Sequence, residues 1–322
     1  MLTVTAYLVD AFTAKPSQGN RAGVVLDADG LSQEQMQEIA RIVNVSETAF
    51  VISDNDPACD FRVRYFTPTS EVPICGHATI ATHWLRANIL NLPTIELKVK
   101  TGVGILPVNI DRHGSDVNIT MTQGHPVLEL PFSEEICSDI ADALHLHRDN
   151  FVAGLPMQVA STGHSKIMIP LTSKSKLDAL SPDMNKLAQI SARVNCNGFF
   201  TFTLDTQRPD VKLAGRMFAP AIGIAEDPVT GNANGPAAVY LYQHGLLKPG
   251  PGEDRIEYSA IQGEAMGKPG IIKVALTLRD GAIDKVQVAG SAVRAGDMTF
   301  VIAEGAVEHR ATRLVTIAPP TA

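Results

Sequence analysis

The sequence predicts an α+β fold of two similar halves. One short motif occurs twice. It reads Arg64-Tyr65-Phe66-Thr67-Pro68 then Pro73-Ile74-Cys75-Gly76-His77-Ala78-Thr79, and again Arg216-Met217-Phe218-Ala219-Pro220 then Asp227-Pro228-Val229-Thr230-Gly231-Asn232-Ala233-Asn234. The two arginines are 152 residues apart, and His77 and Asn232 are 155 apart. Each copy runs into an apolar stretch, Ile80 to Leu85 and Ala237 to Tyr242. A second observation is the mixture of strand-like and helix-like periods along the chain. A third is size: 322 residues, 45% hydrophobic, give each half room for its own core. A turn of small residues opening a helix, used twice, predicts two helix N-termini facing one cleft. Their free N–H groups and positive dipole ends suit a carboxylate.

Taken in order, residues 2–10 and Gly23 to Leu26 read as apolar strands around a polar turn, Ser17-Gln18-Gly19-Asn20-Arg21. Ser32 with Gln35 three residues on forms a capping-box start. The helix that follows carries Met36, Ile39, Ala40 and Val43 on one stripe and stops near Asn44. Thr48 to Ile52 is apolar on both faces and reads as a strand buried on both sides. Phe61 to Phe66 alternates like a strand, and the first glycine turn and helix follow. Ile95 to Ile119 holds two or three strands, with turns at Gly102–Gly104 and Asp111–Gly114. Gln123 to Pro131 reads as a crossing linker, which divides the chain into an N-terminal half, 1–122, and a C-terminal half, 123–322, whose last strand or tail is free to pack back on the first. The second half repeats the plan: a helix over Ser133 to Leu144, strands at Gln158–Ala160 and Lys166–Ile169, a helix from Met184 to Ala192, and a strand from Gly198 to Leu204. The second glycine turn and helix come next, then three or more strands to about Ala303 and a loose tail ending in Pro319-Pro320.

Composition removes several classes of function. A net charge of −7 without a basic run argues against a nucleic-acid partner. The start lacks the basic and apolar regions of a signal peptide. The longest stretch free of Asp, Glu, Lys and Arg, Pro228 to Leu247, contains Asn232, Asn234, Pro236 and glycines and is no membrane span. Four cysteines (Cys59, Cys75, Cys137, Cys196) without CxxC spacing fit reduced thiols in a cytoplasmic protein. Gly102-Val103-Gly104 lacks the third glycine of a dinucleotide fingerprint. His145 and His147 are not spaced for one helix face, and no metal site is expected.

Three titratable residues cluster around the duplicated turns. Glu47, after Ser46 at the mouth of an apolar strand, alone reads as a solvated strand-end carboxylate. The functional reading is a carboxyl group at the edge of a desolvated cleft, where desolvation in general favours a group that can act as base and then acid. His77 reads as a structural hydrogen-bonder, or as a side chain aimed from the first turn into the cleft. Asp227 precedes Pro228, a common turn pairing, and also stands just ahead of the second glycine turn. Cys75 sits where a helix N-terminus lowers a thiol pKa. Two-base racemases need a thiol in each turn, and the second copy has Thr230, so Cys75 reads better as a small buried core residue.

Gly19-Asn20-Arg21-Ala22-Gly23-Val24-Val25-Leu26, Asn44-Val45-Ser46-Glu47-Thr48-Ala49-Phe50, Arg64 to Pro68, Cys75 to Thr79 and Glu226-Asp227-Pro228-Val229-Thr230-Gly231 together resemble the phenazine-biosynthesis PhzF-like isomerase family, from about residue 5 to about residue 300. The resemblance implies a diaminopimelate-epimerase-like fold, each half a β-sheet wrapped around a central helix, with the active site between them. It implies a cofactor-free protein, usually a homodimer, acting on a small-molecule carboxylate; the absence of a nucleic-acid partner, a membrane span and a metal is the reading of composition and spacing given above. It also implies that Glu47 is the catalytic acid/base with His77 and Asp227 as partners, and that Asn20, Ser46, Gly76, Gly231 and Asn232 line the substrate pocket. The chain departs at Cys75-Gly76-His77-Ala78, where the phenazine enzyme itself has Ala-Gly-His-Pro. That form resembles the proline-racemase thiol turn and leaves the substrate open.

The expected activity is a cofactor-independent proton transfer in which Glu47 takes a proton from one carbon and returns it to another. Two alternatives stand beside it: a Cys75-based epimerase or dehydratase of a proline-like amino acid, and a non-catalytic metabolite-binding protein.

Overall fold

The structure, a computed structural model, describes residues 1–303 and 305–315. The chain divides into two compact units, residues 1–121 with 289 onward, and residues 122–288. The tail expected around Pro319-Pro320 lies outside the described residues. Among the described residues no helix is long and apolar enough to cross a membrane.

In the first unit β1 (Leu2–Ala11) pairs antiparallel with β2 (Asn20–Val25). The connecting turn needs glycine at 19, where φ is +62° and an added Cβ would lie 2.1 Å from the Ala11 carbonyl oxygen. Helix α1 (Gln33–Val43) starts at the expected capping box and buries Met36, Ile39, Ala40 and Val43; Asn44 closes it in the left-handed conformation. Strand β3 (Glu47–Ile52) returns parallel to β2, and β4 (Phe61–Phe66) pairs antiparallel with β3. A short β5 (Glu71–Val72) leads into α2 (Gly76–Ile89). Strand β6 (Ile95–Thr101) pairs parallel with β4 and opens an antiparallel meander with β7 (Gly104–His113) and β8 (Asp116–Thr122).

The second unit repeats these steps. After β9 (Val127–Pro131) and α3 (Glu134–Ala143), the hairpin β10 (Gln158–Ser161) and β11 (Ser165–Pro170) is antiparallel. Helices α4 (Lys174–Asp178) and α5 (Met184–Val194) cross to β12 (Phe199–Thr203), parallel to β11, and Asn195 closes α5 as Asn44 closes α1. Strand β13 (Leu213–Ala219) pairs antiparallel with β12, and β14 (Ile224–Asp227) leads into α6 (Gly231–Gln243). Then β15 (Arg255–Gln262) pairs parallel with β13 and antiparallel with β16 (Gly270–Arg279), before β17 (Ala282–Gly290). Finally β18 (Ala292–Ala303) returns to the first unit, antiparallel to β1, and β19 (Ala306–Leu314) pairs with β18.

Each unit is a sheet around a central helix. Nine residues of α2 are buried, and the helix touches β1, β2, β3, β7 and β18. In the second unit α6 packs on β9, β10, β11 and β16. Both helices are buried over most of their length, polar residues such as Thr82, His83 and Asn234 included. The amphipathic helices cover the outer faces, α1 over a core with Phe50, Phe66 and Phe300, and α3 and α5 over one with Phe199 and Phe218. Strands β3 and β12 are buried almost throughout and carry mostly apolar residues, with Thr48, Thr201 and Thr203 buried among them.

Three expectations need correction. Asn20 and Arg21 belong to β2, because Asp10 in the facing strand accepts the Arg21 fork at 2.6 and 2.9 Å and the Ser17 N–H at 2.6 Å. Val127 to Pro131 is a strand, with Leu128 opposite Ala160; Pro126 before it, Pro131 at its end and its exposure disguise it as a linker. The turn placed at Asp111–Gly114 is tighter, since Asp111–His113 remain in β7.

The core of α2 carries a pH-dependent cost. His83 is fully buried, neither ring nitrogen has a hydrogen-bond partner, and burial, with Arg86 nearby, pushes its pKa down to about 3. In the unfolded chain the ring takes its proton near the ordinary value of about 6.5. Between those values the unfolded state binds more protons, so stability falls as pH drops. Urea unfolding at pH 7 and pH 4.5 is expected to differ by about 2 kcal/mol less in His83→Leu than in wild type. An unchanged gap would show that His83 contributes nothing to acid sensitivity.

Candidate active site

The first unit concentrates polar chemistry where α1 hands over to β3 and where α2 begins. The left-handed Asn44 turns the chain so that Ser46 and Glu47 stand at the mouth of β3, with Ala22 of β2 opposite Glu47. The N-cap of α2 is Cys75, extended at φ −145° and making no side-chain cap bond. A relay fixes that cap: Tyr65 and Thr79 hydroxyls lie 2.8 Å apart, and Thr79 Oγ1 donates to the Cys75 carbonyl at 2.7 Å.

His77 sits at the centre of this group and is 7% exposed. Its Nε2 lies 3.2 Å from Ser46 Oγ and 3.4 Å from Glu47 Oε2, and its Nδ1 lies 3.4 Å from Cys75 Sγ. The Glu47–His77 approach is an ion-pair distance without hydrogen-bond alignment. Glu47 Oε2 is therefore buried without a hydrogen-bond partner, an unusual state for a carboxylate. Asn20, also buried, opens β2 in the same unit.

The second unit builds a related turn from different side chains. Thr230 is the N-cap of α6, again extended (φ −119°) and without a side-chain cap bond. Its Oγ1 donates to Asp227 Oδ2 in a short contact. Asn234 Nδ2 donates to the Thr230 carbonyl at 3.0 Å, the task that Thr79 performs in the first unit. Gln262, 1% exposed, ties the turn together. It donates to the Asp227 carbonyl at 2.7 Å and Thr230 Oγ1 at 3.1 Å, and accepts from Thr230 N at 3.1 Å and Asn234 Nδ2 at 3.0 Å. Gln123 Nε2 donates to the Gly231 carbonyl at 3.0 Å.

The registers align the two units residue by residue. Thr48 faces Phe66 and Phe199 faces Phe218, each phenylalanine two residues after its unit's arginine, so Gly198 occupies the place of Glu47. The Lys166 stem fills the space beside it: a Cβ at Gly198 would lie 2.2 Å from Lys166 Cδ. Burial pushes the Lys166 ammonium down, and Cys196 and Asp227 oppose the shift. The second unit thus sets an amine near Asp227 where the first has a carboxylate.

Gly76 and Gly231, which open the two central helices, are not demanded by the fold. Neither has a positive φ. An added Cβ would meet only Met121 Sδ at 3.8 Å in one case, and Val288 Cγ2 at 3.5 Å and Gln123 Nε2 at 3.9 Å in the other, all ordinary contacts.

Ser46, Glu47 and His77 are thus brought together in the first unit, with Cys75 added; Asp227, Gly231 and Asn232 lie at the matching turn of the second. Sequence reasoning missed Gln262, Gln123 and Lys166, which carry no motif.

A family model described as phenazine biosynthesis-like protein, PhzC-PhzF, matches residues 9–297. An uncharacterized isomerase from Escherichia coli K12, YddE, is 49% identical over 89% of this chain and 95% of its own length. The trans-2,3-dihydro-3-hydroxyanthranilate isomerase of Pseudomonas chlororaphis is 31% identical over 92% of this chain and 98% of its own. The crystal structure of a Bacillus anthracis phenazine biosynthesis protein of the PhzF family superposes with a TM-score of 0.85 at 31% identity, covering 94% of this chain and all of that one.

Proposed function

The chain belongs to the PhzC-PhzF family of phenazine biosynthesis-like proteins, and from that premise we propose that it is a cofactor-independent isomerase that moves a proton on a small carboxylate-bearing substrate, with Glu47 as acid and base. The observation that carries this reading is the buried, unpartnered Glu47 Oε2, 3.4 Å from His77 at the start of α2. A carboxylate oxygen without a hydrogen-bond donor keeps its lone pair for a substrate proton. Glu47 takes that proton from a carbon made acidic by conjugation to the substrate carboxylate, and the electron pair spreads into the conjugated system. The protonated Glu47 then delivers the proton to a different carbon. His77, held by Ser46, steadies the charge on Glu47 through both steps.

The substrate carboxylate sits against the N–H groups that open α2, where the absent side chain of Gly76 lets it approach and Asn20 and Ser46 border it. In the second unit Asp227, Gly231 and Asn232 form a turn of the same design, in which Asp227 holds Thr230 in place. The substrate class follows from this chemistry and from the named relatives: an unsaturated ring or chain carrying a carboxylate.

A second reading has a specific observation in its favour: Cys75 Sγ lies 3.4 Å from His77 Nδ1, a thiol–imidazole pair suited to an amino-acid epimerase. One screen separates the two. Small unsaturated and amino carboxylates are incubated in D₂O and read by mass shift. Deuterium uptake into an unsaturated carboxylate, lost in Glu47→Gln and kept in Cys75→Ser, supports the isomerase. Uptake at Cα of an amino acid, lost in Cys75→Ser, replaces it with the thiol reading. Binding without exchange into any compound makes the protein a metabolite binder.

A further inference from the structure

We propose that Glu47, Cys75 and His77 form a binding site for a divalent cation of the zinc type, and that its occupation stops proton transfer by Glu47. The three residues each offer a donor atom, and these lie within 4.8 Å of one another. Zinc bonds to sulfur at about 2.3 Å and to nitrogen or oxygen at about 2.0–2.2 Å, so a tetrahedral ion spaces its donors by roughly 3.3–3.7 Å. His77 Nε2 already stands 3.4 Å from Glu47 Oε2 and 4.0 Å from Cys75 Sγ. Small side-chain rotations therefore complete three ligands, and the fourth position remains open.

The donor chemistry selects the ion. One thiol, one imidazole and one carboxylate suit zinc, whereas magnesium and calcium prefer oxygen alone. The buried Glu47 Oε2 has no hydrogen-bond donor, which is the state a cation would satisfy. A second cluster provides the contrast: Asp54, Asp56 and Cys59 also lie within 4.8 Å, but Lys100 Nζ already bridges both carboxylates at 3.2 and 3.1 Å.

The internal duplication shows that the fold does not require this donor set. The matching positions in the second unit hold Gly198, Thr230 and Asn232, none of them a comparable ligand, on the same backbone plan. Binding releases the Cys75 thiol proton to solvent and leaves a thiolate on the ion. It also engages the Glu47 oxygen that, in the proposed function, must be free to take a proton. The inhibitory consequence rests on that function; the metal site does not.

The test uses the full chain freed of metal by a chelator. Cobalt(II) serves as the spectroscopic probe, and zinc is titrated in competition with a chromophoric chelator. One equivalent of cobalt is expected to bind, with a thiolate-to-metal charge-transfer band in the near ultraviolet. Cys75→Ser should remove the band, Cys59→Ser should leave it, and Glu47→Gln or His77→Gln should each weaken zinc binding by at least about tenfold. Circular dichroism checks that each variant is folded. Absence of stoichiometric binding, or a band that survives Cys75→Ser, overturns the site. Hydrogen exchange in D₂O, measured with and without zinc, separates the two readings. Binding through Glu47 with exchange unimpaired removes Glu47 from the chemistry while the metal site stands. Glu47-dependent exchange without zinc binding leaves the isomerase and removes the site.

Discussion

Glu47→Gln is expected to lower kcat by about 10²- to 10⁴-fold, the usual contribution of a positioned acid–base group. The substitution is nearly isosteric, so the side chain still fills its half-buried place beside His77. What it loses is a lone pair basic enough to take a proton from carbon. Substrate carboxylate binding, assigned to the start of α2, remains, so KM should change by only a few-fold and the loss should fall on kcat. Stability provides the control. Glu47 Oε2 is buried without a hydrogen-bond donor, and a neutral amide costs less to bury than a carboxylate oxygen in that state. The melting temperature of Glu47→Gln should therefore equal or exceed that of wild type. A stable variant whose kcat stays within a few-fold of wild type would remove Glu47 as the base. Glu47→Asp retains the carboxylate one methylene short and should recover part of the rate only if the reacting carbon lies within reach.

The parts of this protein that the sequence announces are those set by local chemistry. The capping box at Ser32 and Gln35 and the buried stripe of α1 were legible because the residues involved lie within a few positions of one another. The duplicated turn was legible because it is a run of glycine, proline and arginine with a fixed spacing. Strands at the margins were not. Val127 to Pro131 reads as a linker because its partner strand begins at Gln158, and β19 lacks an apolar pattern. The site divides in the same way. His77 and Asp227 flank a visible motif, but Glu47 shows only as a carboxylate at the mouth of an apolar strand, and its catalytic role was reached through the family resemblance. Gln262 and Lys166 are invisible to any short window, since register alone sets Gln262 against a turn 32 residues earlier and Lys166 beside Gly198.

Arg216→Ala is expected to destabilise the fold by about 3–5 kcal/mol, the loss when one partner of a buried pair is removed. Its guanidinium forks onto Glu226 at 2.8 and 2.9 Å, and its remaining nitrogen donates to the carbonyls of Leu177, Asp178 and Leu180 where α4 ends. The arginine side chain is 9% exposed and that of Glu226 14%. Alanine would strand a largely buried carboxylate and leave the carbonyls at the α4 end without their donor. The duplication supplies a control within the same chain. Arg64 forks onto Glu71 at 2.7 and 2.6 Å, but those side chains are 17% and 36% exposed, and the further bond goes to the side chain of Gln33. Water can replace these contacts, so Arg64→Ala should cost only about 1 kcal/mol. Urea unfolding of both variants, compared at equal slope, measures the difference. Equal losses would mean that burial does not set the worth of this pair. Arg216→Lys should recover little, because an ammonium cannot hold the fork and three carbonyls at once. The effect should also reach the proposed site. Glu226 is the residue before Asp227 in β14, so releasing it frees the strand that carries Asp227 to the α6 turn. Arg216→Ala should therefore impair turnover under conditions where the protein is still folded, whereas Arg64→Ala, whose partner Glu71 is followed by Val72 at the matching place, should impair it less.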